Sequence, residues 1–129
     1  MHEKQKLLTE AELEFMTALW KLGQGSVNDV IAALPAGRNP AYTTVSTILR
    51  ILEQKGMVKA RKEGRGHVYI PTLEKSEYEA RTLRHVVNDV FDGAPLALAR
   101  QLLKHNKLSA VELDELRALL DGLEKGNRS

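Results

Sequence analysis

Apolar positions recur with helical period along most of this chain and alternate in only one stretch. Val45, Ile48, Leu49 and Leu52 form one stripe at helical spacing. Pro40 ahead of it biases Asn39 away from helix, and Gly56 behind it suits the position just past a helix end. The spacing predicts a rod from Tyr42 to Lys55. Upstream, Leu13, Met16, Leu19 and Trp20 predict a helix over about 9–22, buried along those four residues and ended by Gly23 and Gly25. Val27, Val30, Ile31 and Leu34 predict a second over about 27–34, stopped by Pro35. Met57–Lys62 and His67–Pro71 alternate loosely around a tip at Glu63-Gly64-Arg65-Gly66, the pattern of a β-hairpin. No strand signal follows. Tyr78, Leu83, Val86, Val87, Val90 and Phe91 predict a helix over about 75–91, broken by Asp92-Gly93-Ala94. Pro95 opens a fifth helix carrying Leu96, Leu98, Ala99, Leu102 and Leu103. Val111, Leu113, Leu116, Leu119, Leu120 and Leu123 predict a last one over about 110–124.

Three of these starts carry the same capping signature. Thr9 with Glu12, and Ser109 with Glu112, match the capping box, and Ser26 with Asp29 is its shorter version. Three helices followed by a hairpin is the order of a winged helix-turn-helix. The fold class expected is therefore mainly α with a small β-hairpin: a winged helix over 1–72, then a three-helix module over 73–129.

The polar side of the rod is unusual. Thr43, Thr44, Ser46, Thr47 and Arg50 fall outside the apolar stripe. Small hydroxylated side chains let a helix approach another surface closely. In a DNA major groove they reach base edges or phosphates, and a threonine methyl packs on a thymine methyl. The second helix of a helix-turn-helix needs that surface. Arg50 would touch a base or a phosphate. Tyr42 either offers its hydroxyl to a phosphate or packs at the helix entrance. Arg65 and Lys62 would serve from the hairpin, and Lys55 and Lys59 are weaker candidates because lysines after a helix are often simply solvated.

The last three helices span about 55 residues, which by surface-to-volume scaling make a poor independent core, yet their apolar content is too high for them to stand exposed. Burial against a second copy resolves the conflict; packing back onto the first domain is the alternative. The residues expected in a dimer interface are Val87, Val90, Phe91, Leu98, Leu102, Leu113, Leu116, Leu120 and Leu123.

Composition narrows the function. The 129 residues contain no cysteine, which removes disulfides and thiolate metal sites. No apolar run approaches the ~18 residues of a membrane span, and Met1–Lys6 is polar with no signal-peptide core behind it, so a cytoplasmic protein is expected. Net charge is only +2, but residues 1–72 hold ten Lys/Arg against seven Asp/Glu while 73–129 hold nine against ten. The run from Arg50 to Arg65 has six basic residues and two acidic ones, which suits either a DNA face or a solvated surface. There is no nucleophile motif and no glycine-rich phosphate loop, so no enzyme is expected. His2, His67, His85 and His105 show no metal-ligand spacing, and no cofactor is implied.

The chain resembles the penicillinase-repressor family, the BlaI/MecI/CopY-type regulators. The segments that carry the likeness are Leu8-Thr9-Glu10-Ala11-Glu12, Leu19-Trp20, Val27-Asn28-Asp29-Val30, Ala41-Tyr42-Thr43-Thr44-Val45, Leu52-Glu53-Gln54-Lys55-Gly56 and Gly64-Arg65-Gly66-His67-Val68-Tyr69. Their order and spacing together are specific. The resemblance implies a dimeric repressor of antibiotic (β-lactam) resistance or related genes. It would bind an inverted-repeat operator with its winged helix and dimerise through its C-terminal helices. It also implies derepression by proteolysis, triggered by a membrane sensor protein. Family members are cut between an Asn and a Phe in the fifth helix; the corresponding pair here is Gln101-Leu102, a departure from that pattern. The cysteine site of the copper-responsive branch is absent. A small-molecule-responsive winged-helix regulator without a proteolytic switch is the alternative.

Overall fold

The computed structural model describes residues 7–127; the N-terminal hexapeptide, with His2, lies outside them. The order is α1 (Glu10–Leu22), α2 (Val27–Ala32), α3 (Tyr42–Gln54), β1 (Val58–Glu63), β2 (Gly66–Pro71), α4 (Lys75–Asp89), α5 (Pro95–His105) and α6 (Ala110–Asn127). The chain divides into two compact units, Met1–Leu83 and Arg84–Ser129.

All three capping boxes form. Thr9 and Glu12 cap α1, Ser26 and Asp29 cap α2, and Ser109 and Glu112 exchange the same pair of bonds at the start of α6. Helix ends differ from expectation by one to three residues, for local reasons. α2 stops at Ala32 because Leu34 precedes Pro35 and is disfavoured in the helical region; its N–H instead bonds Ile31 O in a tighter turn. α4 gives way before two successive left-handed residues, Asp92 (φ 52°) and Gly93 (φ 78°).

The core of the first unit is built from Phe15, Met16, Leu19, Val30, Val45, Leu49 and Leu52, all inaccessible to solvent, with Val27, Met57, Val58, Tyr69 and Leu73 around them. Here α1 corrects the expectation. Leu13, expected in the core, is 38% exposed, and Trp20 is only partly buried. Met16 and Leu19 are core residues as expected, and the buried stripe is completed by Glu12, Phe15 and Ala18 in place of Leu13 and Trp20. Phe15 supplies more apolar area than Leu13. The stripe can carry Glu12 because Lys55 Nζ donates to both carboxylate oxygens, at 2.9 and 2.8 Å.

Trp20 extends this unit toward α4. Its indole N–H donates to Leu73 O at 3.0 Å, and its ring lies 5.7 Å from that of Tyr78, whose hydroxyl accepts from Leu8 N–H at 3.0 Å.

The hairpin pairs Val58 with Pro71 through to Glu63 with Gly66, leaving Gly64-Arg65 as a two-residue turn. Gly64 has φ 60° and Arg65 does not share the positive angle, as a II′ turn requires. β1 starts one residue later than expected because Met57 N–H is bonded to Leu52 O at the end of α3. Gly25 adds a single antiparallel bridge to β2: it exchanges both backbone hydrogen bonds with Tyr69, at 3.0 and 2.8 Å. The hairpin is thereby held against the α1–α2 connection.

In the second unit no residue from 84 to 126 is buried within the single chain. Among the described residues no helix is long and apolar enough to cross a membrane.

Glu12 gives the first unit an acid-sensitive tie. Burial pushes its carboxyl upward, but the Lys55 hydrogen bond and charge, with the Thr9 hydrogen bonds, outweigh burial and hold it below the ordinary 4.5. A carboxyl depressed in the folded state stabilises above its unfolded value and loses that stabilisation as pH falls through the folded value. Glu14, paired with Arg38, and Asp29, bonded to Ser26, are lowered too. Melting temperature is therefore expected to drop as pH falls below about 4.5, and to drop less steeply in Glu12→Gln. Equal acid slopes for parent and variant by calorimetry would remove Glu12 from this role.

Candidate nucleic-acid interface

α3 turns its apolar stripe inward, and helical geometry sets where its other residues go. At 100° per residue, Thr43, Thr47, Arg50 and Gln54 lie opposite Val45, Leu49 and Leu52. Thr43, Thr44, Thr47 and Arg50 are exposed. Tyr42, Ser46 and Glu53 fall on the flank that faces the hairpin, with Tyr42 half-exposed and Ser46 half-buried.

A groove runs between this flank and the hairpin. Tyr42, Ser46, Arg50 and Glu53 form its α3 wall, and Lys62, Arg65, His67 and Tyr69 form its hairpin wall. Five of the eight expected contact residues thus line one groove. Thr43, Thr44 and Thr47 are outside it, on the exposed surface of the same helix.

Ion pairing sorts the basic residues of this unit. Arg38 makes a two-point bond to Glu14 at 2.7 Å, Arg61 pairs with Glu63 at 3.0 Å, and Lys55 is held by Glu12. Among the described residues, Arg50, Lys62 and Arg65 make no ion pair. The three cations of the groove are therefore available to an external anion. Lys55, a weaker candidate from sequence, is a structural residue.

Two further features suit a polyanion. α3 has no side-chain cap at Ala41 and no acidic residue in its first turn, which leaves its first N–H groups and positive dipole end open. The Tyr69 hydroxyl remains a proton donor: burial raises it, Glu53 adds to that, and Arg50 opposes it.

His67, Tyr69, Glu53 and Gln54 were absent from the sequence-derived set. The signal for three of them was present. Gln54 is eleven residues past Thr43, three turns along the same face. A two-residue tip at Gly64-Arg65 sets Lys62 opposite His67 and Ala60 opposite Tyr69. The expected tip, Glu63-Gly64-Arg65-Gly66, is centred on the same two residues and gives the same register.

In the second unit, Val87, Phe91, Leu98 and Leu116 are half-buried, while Val90, Leu102, Leu113, Leu120 and Leu123 are exposed. Leu113, Leu116, Leu120 and Leu123 lie on one stripe of α6, and Leu83, Val86, Val87 and Val90 on one stripe of α4. Gln101 and Leu102 are both exposed, in the middle of α5. His85 Nδ1 lies 3.2 Å from Asp89 Oδ2, one turn on, and no metal-ligand cluster occurs among the described residues.

The profile of the penicillinase repressor family matches residues 8–122. The penicillinase repressor of Bacillus licheniformis is 31% identical over 114 residues, covering 88% of this chain and 89% of that protein. The methicillin resistance regulatory protein MecI of Staphylococcus aureus is 26% identical over 121 residues, covering 94% and 98%. Among solved structures, the DNA binding domain of the repressor BlaI is 35% identical with a TM-score of 0.50, covering 60% of this chain and 94% of that domain. With nearly its whole length matched, and a winged helix where that DNA binding domain has one, the chain belongs to the penicillinase repressor family.

Proposed function

We propose that this protein is a sequence-specific DNA-binding repressor that acts as a homodimer on an inverted-repeat operator. The observation that carries the reading is the groove between α3 and the hairpin, where Arg50, Lys62 and Arg65 face solvent without an ion pair beside the hydroxyl-rich surface of α3. The exposed threonines contact base edges, and the cations supply the salt-dependent phosphate attraction. The apolar stripes of the second unit support the dimer, because the single chain leaves them open. Two copies place two α3 helices on half-sites about one helical turn apart, or a multiple of it.

Tethering makes the second half-site contact intramolecular, so repression depends on the C-terminal helices. Hydrolysis of the Gln101–Leu102 bond would detach α6 and undo the tether, which suits derepression by a protease acting with a membrane sensor. The regulated genes on this reading are those of β-lactam resistance or a related response.

Arg50→Ala tests the groove. It is expected to weaken operator binding about 10- to 100-fold, to reduce the salt dependence by about one counterion if Arg50 sits on a phosphate, and to leave the dimer intact. Fluorescence anisotropy on a duplex selected from a randomised pool, repeated across salt concentrations, measures both. Binding by Arg50→Ala indistinguishable from the parent would remove the groove from the DNA interface.

A further inference from the structure

We infer that the Glu12–Lys55 pair is a positioning device that fixes the end of α3 against α1, so that Lys55 acts on DNA through the pose of α3 and not by touching a phosphate. The inference rests on the proposed DNA-binding function. Its geometry is complete within the chain. Glu12 occupies the third position of α1 and is only 5% exposed. Lys55 is the residue that caps the C-terminal end of α3. Its ammonium donates to Oε1 at 2.9 Å and to Oε2 at 2.8 Å, and Oε1 also accepts from Thr9 N–H at 2.9 Å. One carboxylate thus ties the capped start of α1 to the capped end of α3, 43 residues later in the chain.

Stability alone does not account for this arrangement. Desolvating a carboxylate offsets most of what the ion pair gains, and well-packed apolar residues commonly do as well or better; the best-attested use of such a pair is to fix register. α3 has a reason to need register. Val45, Leu49 and Leu52 anchor it by apolar contact, which is non-directional and tolerates small rotations and slides. Its outward residues, Thr43, Thr47 and Arg50, must meet base edges within a few tenths of an ångström. A two-point charge-assisted bond at the far end removes the freedom that apolar packing leaves.

The test uses the full chain and the double variant Glu12→Gln/Lys55→Met, which keeps an acceptor for Thr9 N–H and an apolar stem at 55. Melting is expected to stay within about 5 °C of the parent, as pair-to-apolar exchanges allow. The affinity ratio between a duplex selected by the parent from a randomised pool and a scrambled duplex of equal length is expected to fall at least ~10-fold, with the salt slope unchanged. A retained ratio overturns the inference. So does a salt slope shallower by about 0.9 with the ratio retained, the mark of a lost phosphate contact. In the DNA-free protein, residual dipolar couplings of α1 and α3 amides are expected to show a changed or broadened interhelical angle, and an unchanged, sharp angle again overturns it. A parent that enriches no sequence from the pool would sink the DNA-binding reading, and the couplings would still decide the role of the pair. Should the double variant fail to fold, Glu12→Gln alone gives the same readouts at smaller size.

Discussion

Leu116→Glu, combined with Leu120→Glu, is expected to convert the dimer to monomers and to lower affinity for a two-half-site operator by ~10²-fold or more. Both leucines lie on the α6 stripe with Leu113 and Leu123; Leu120 is 56% exposed in the single chain and Leu116 is half-buried. A carboxylate forced into an apolar contact without a partner costs several kcal/mol, about 3 or more per site. In a monomer the carboxylate at 120 faces water at little cost, and the one at 116, half-buried, can turn its charge to the solvent. The substitution therefore acts on association and not on the fold of either unit. Sedimentation equilibrium should show a monomer at concentrations where the parent is a dimer. Binding to a single half-site should be unchanged, because the winged helix is untouched. A double variant that still sediments as a dimer would move the interface off α6.

How far the sequence disclosed this molecule follows from which signals are local. The capping boxes at Thr9, Ser26 and Ser109 were legible because each lies within four residues and depends on nothing remote. The inward stripe of α3 was legible for a similar reason: Val45, Leu49 and Leu52 share one face, with Ile48 partly buried at its edge, and no second apolar register rivals it. α1 was legible only in part: Met16 and Leu19 are core as expected, but the helix offers two apolar registers around them. One runs through Leu13 and Trp20, the other through Phe15, and the second demands that Glu12 be buried. Lys55, far away in the chain, joins the Thr9 N–H in making that tolerable. The groove was half legible. Tyr42, Ser46 and Arg50 follow from the helix, and Lys62 and Arg65 from the hairpin; the hairpin register also sets His67 beside Lys62 and Tyr69 beside Ala60, but only the packing of the hairpin against α3 makes them part of the groove. The sorting of cations into paired and open ones was not legible at all. Arg38 and Arg61 look no different in sequence from Arg50 and Lys62, and only their distances to Glu14 and Glu63 separate them. The role of Gly25 was equally hidden. It reads as a helix terminator, yet its backbone joins the hairpin through Tyr69. A Cβ there would lie 3.0 Å from the Asp29 Cβ.

The α1 register also sets the largest stability effect expected in the molecule. Phe15→Ala should destabilise the first unit by about 3–5 kcal/mol, the range for deleting a buried aromatic ring. Phe15 is fully inaccessible and packs in one cluster with Leu19, Val45, Leu49 and Leu52, so the ring's removal leaves a void between α1 and α3 that rigid helices close only in part. For a unit of this size each kcal/mol moves the midpoint by about 4–8 °C, which places the variant about 15 °C or more below the parent. Small domains have only about 5–15 kcal/mol in total, so a fraction of the variant's winged helix should be unfolded near physiological temperature, with DNA affinity reduced in proportion. Leu13→Ala provides the contrast. Leu13 is 38% exposed, and its truncation should cost well under about 1 kcal/mol, as for surface sites away from special features. The two substitutions remove similar chemistry two residues apart on one helix, and their predicted costs differ because one ring faces α3 and the other side chain faces water. Thermal melts that rank them in the opposite order would rotate α1 by about 100° per residue of error, carry Glu12 out of reach of Lys55, and withdraw the anchor on which the pose of α3 depends.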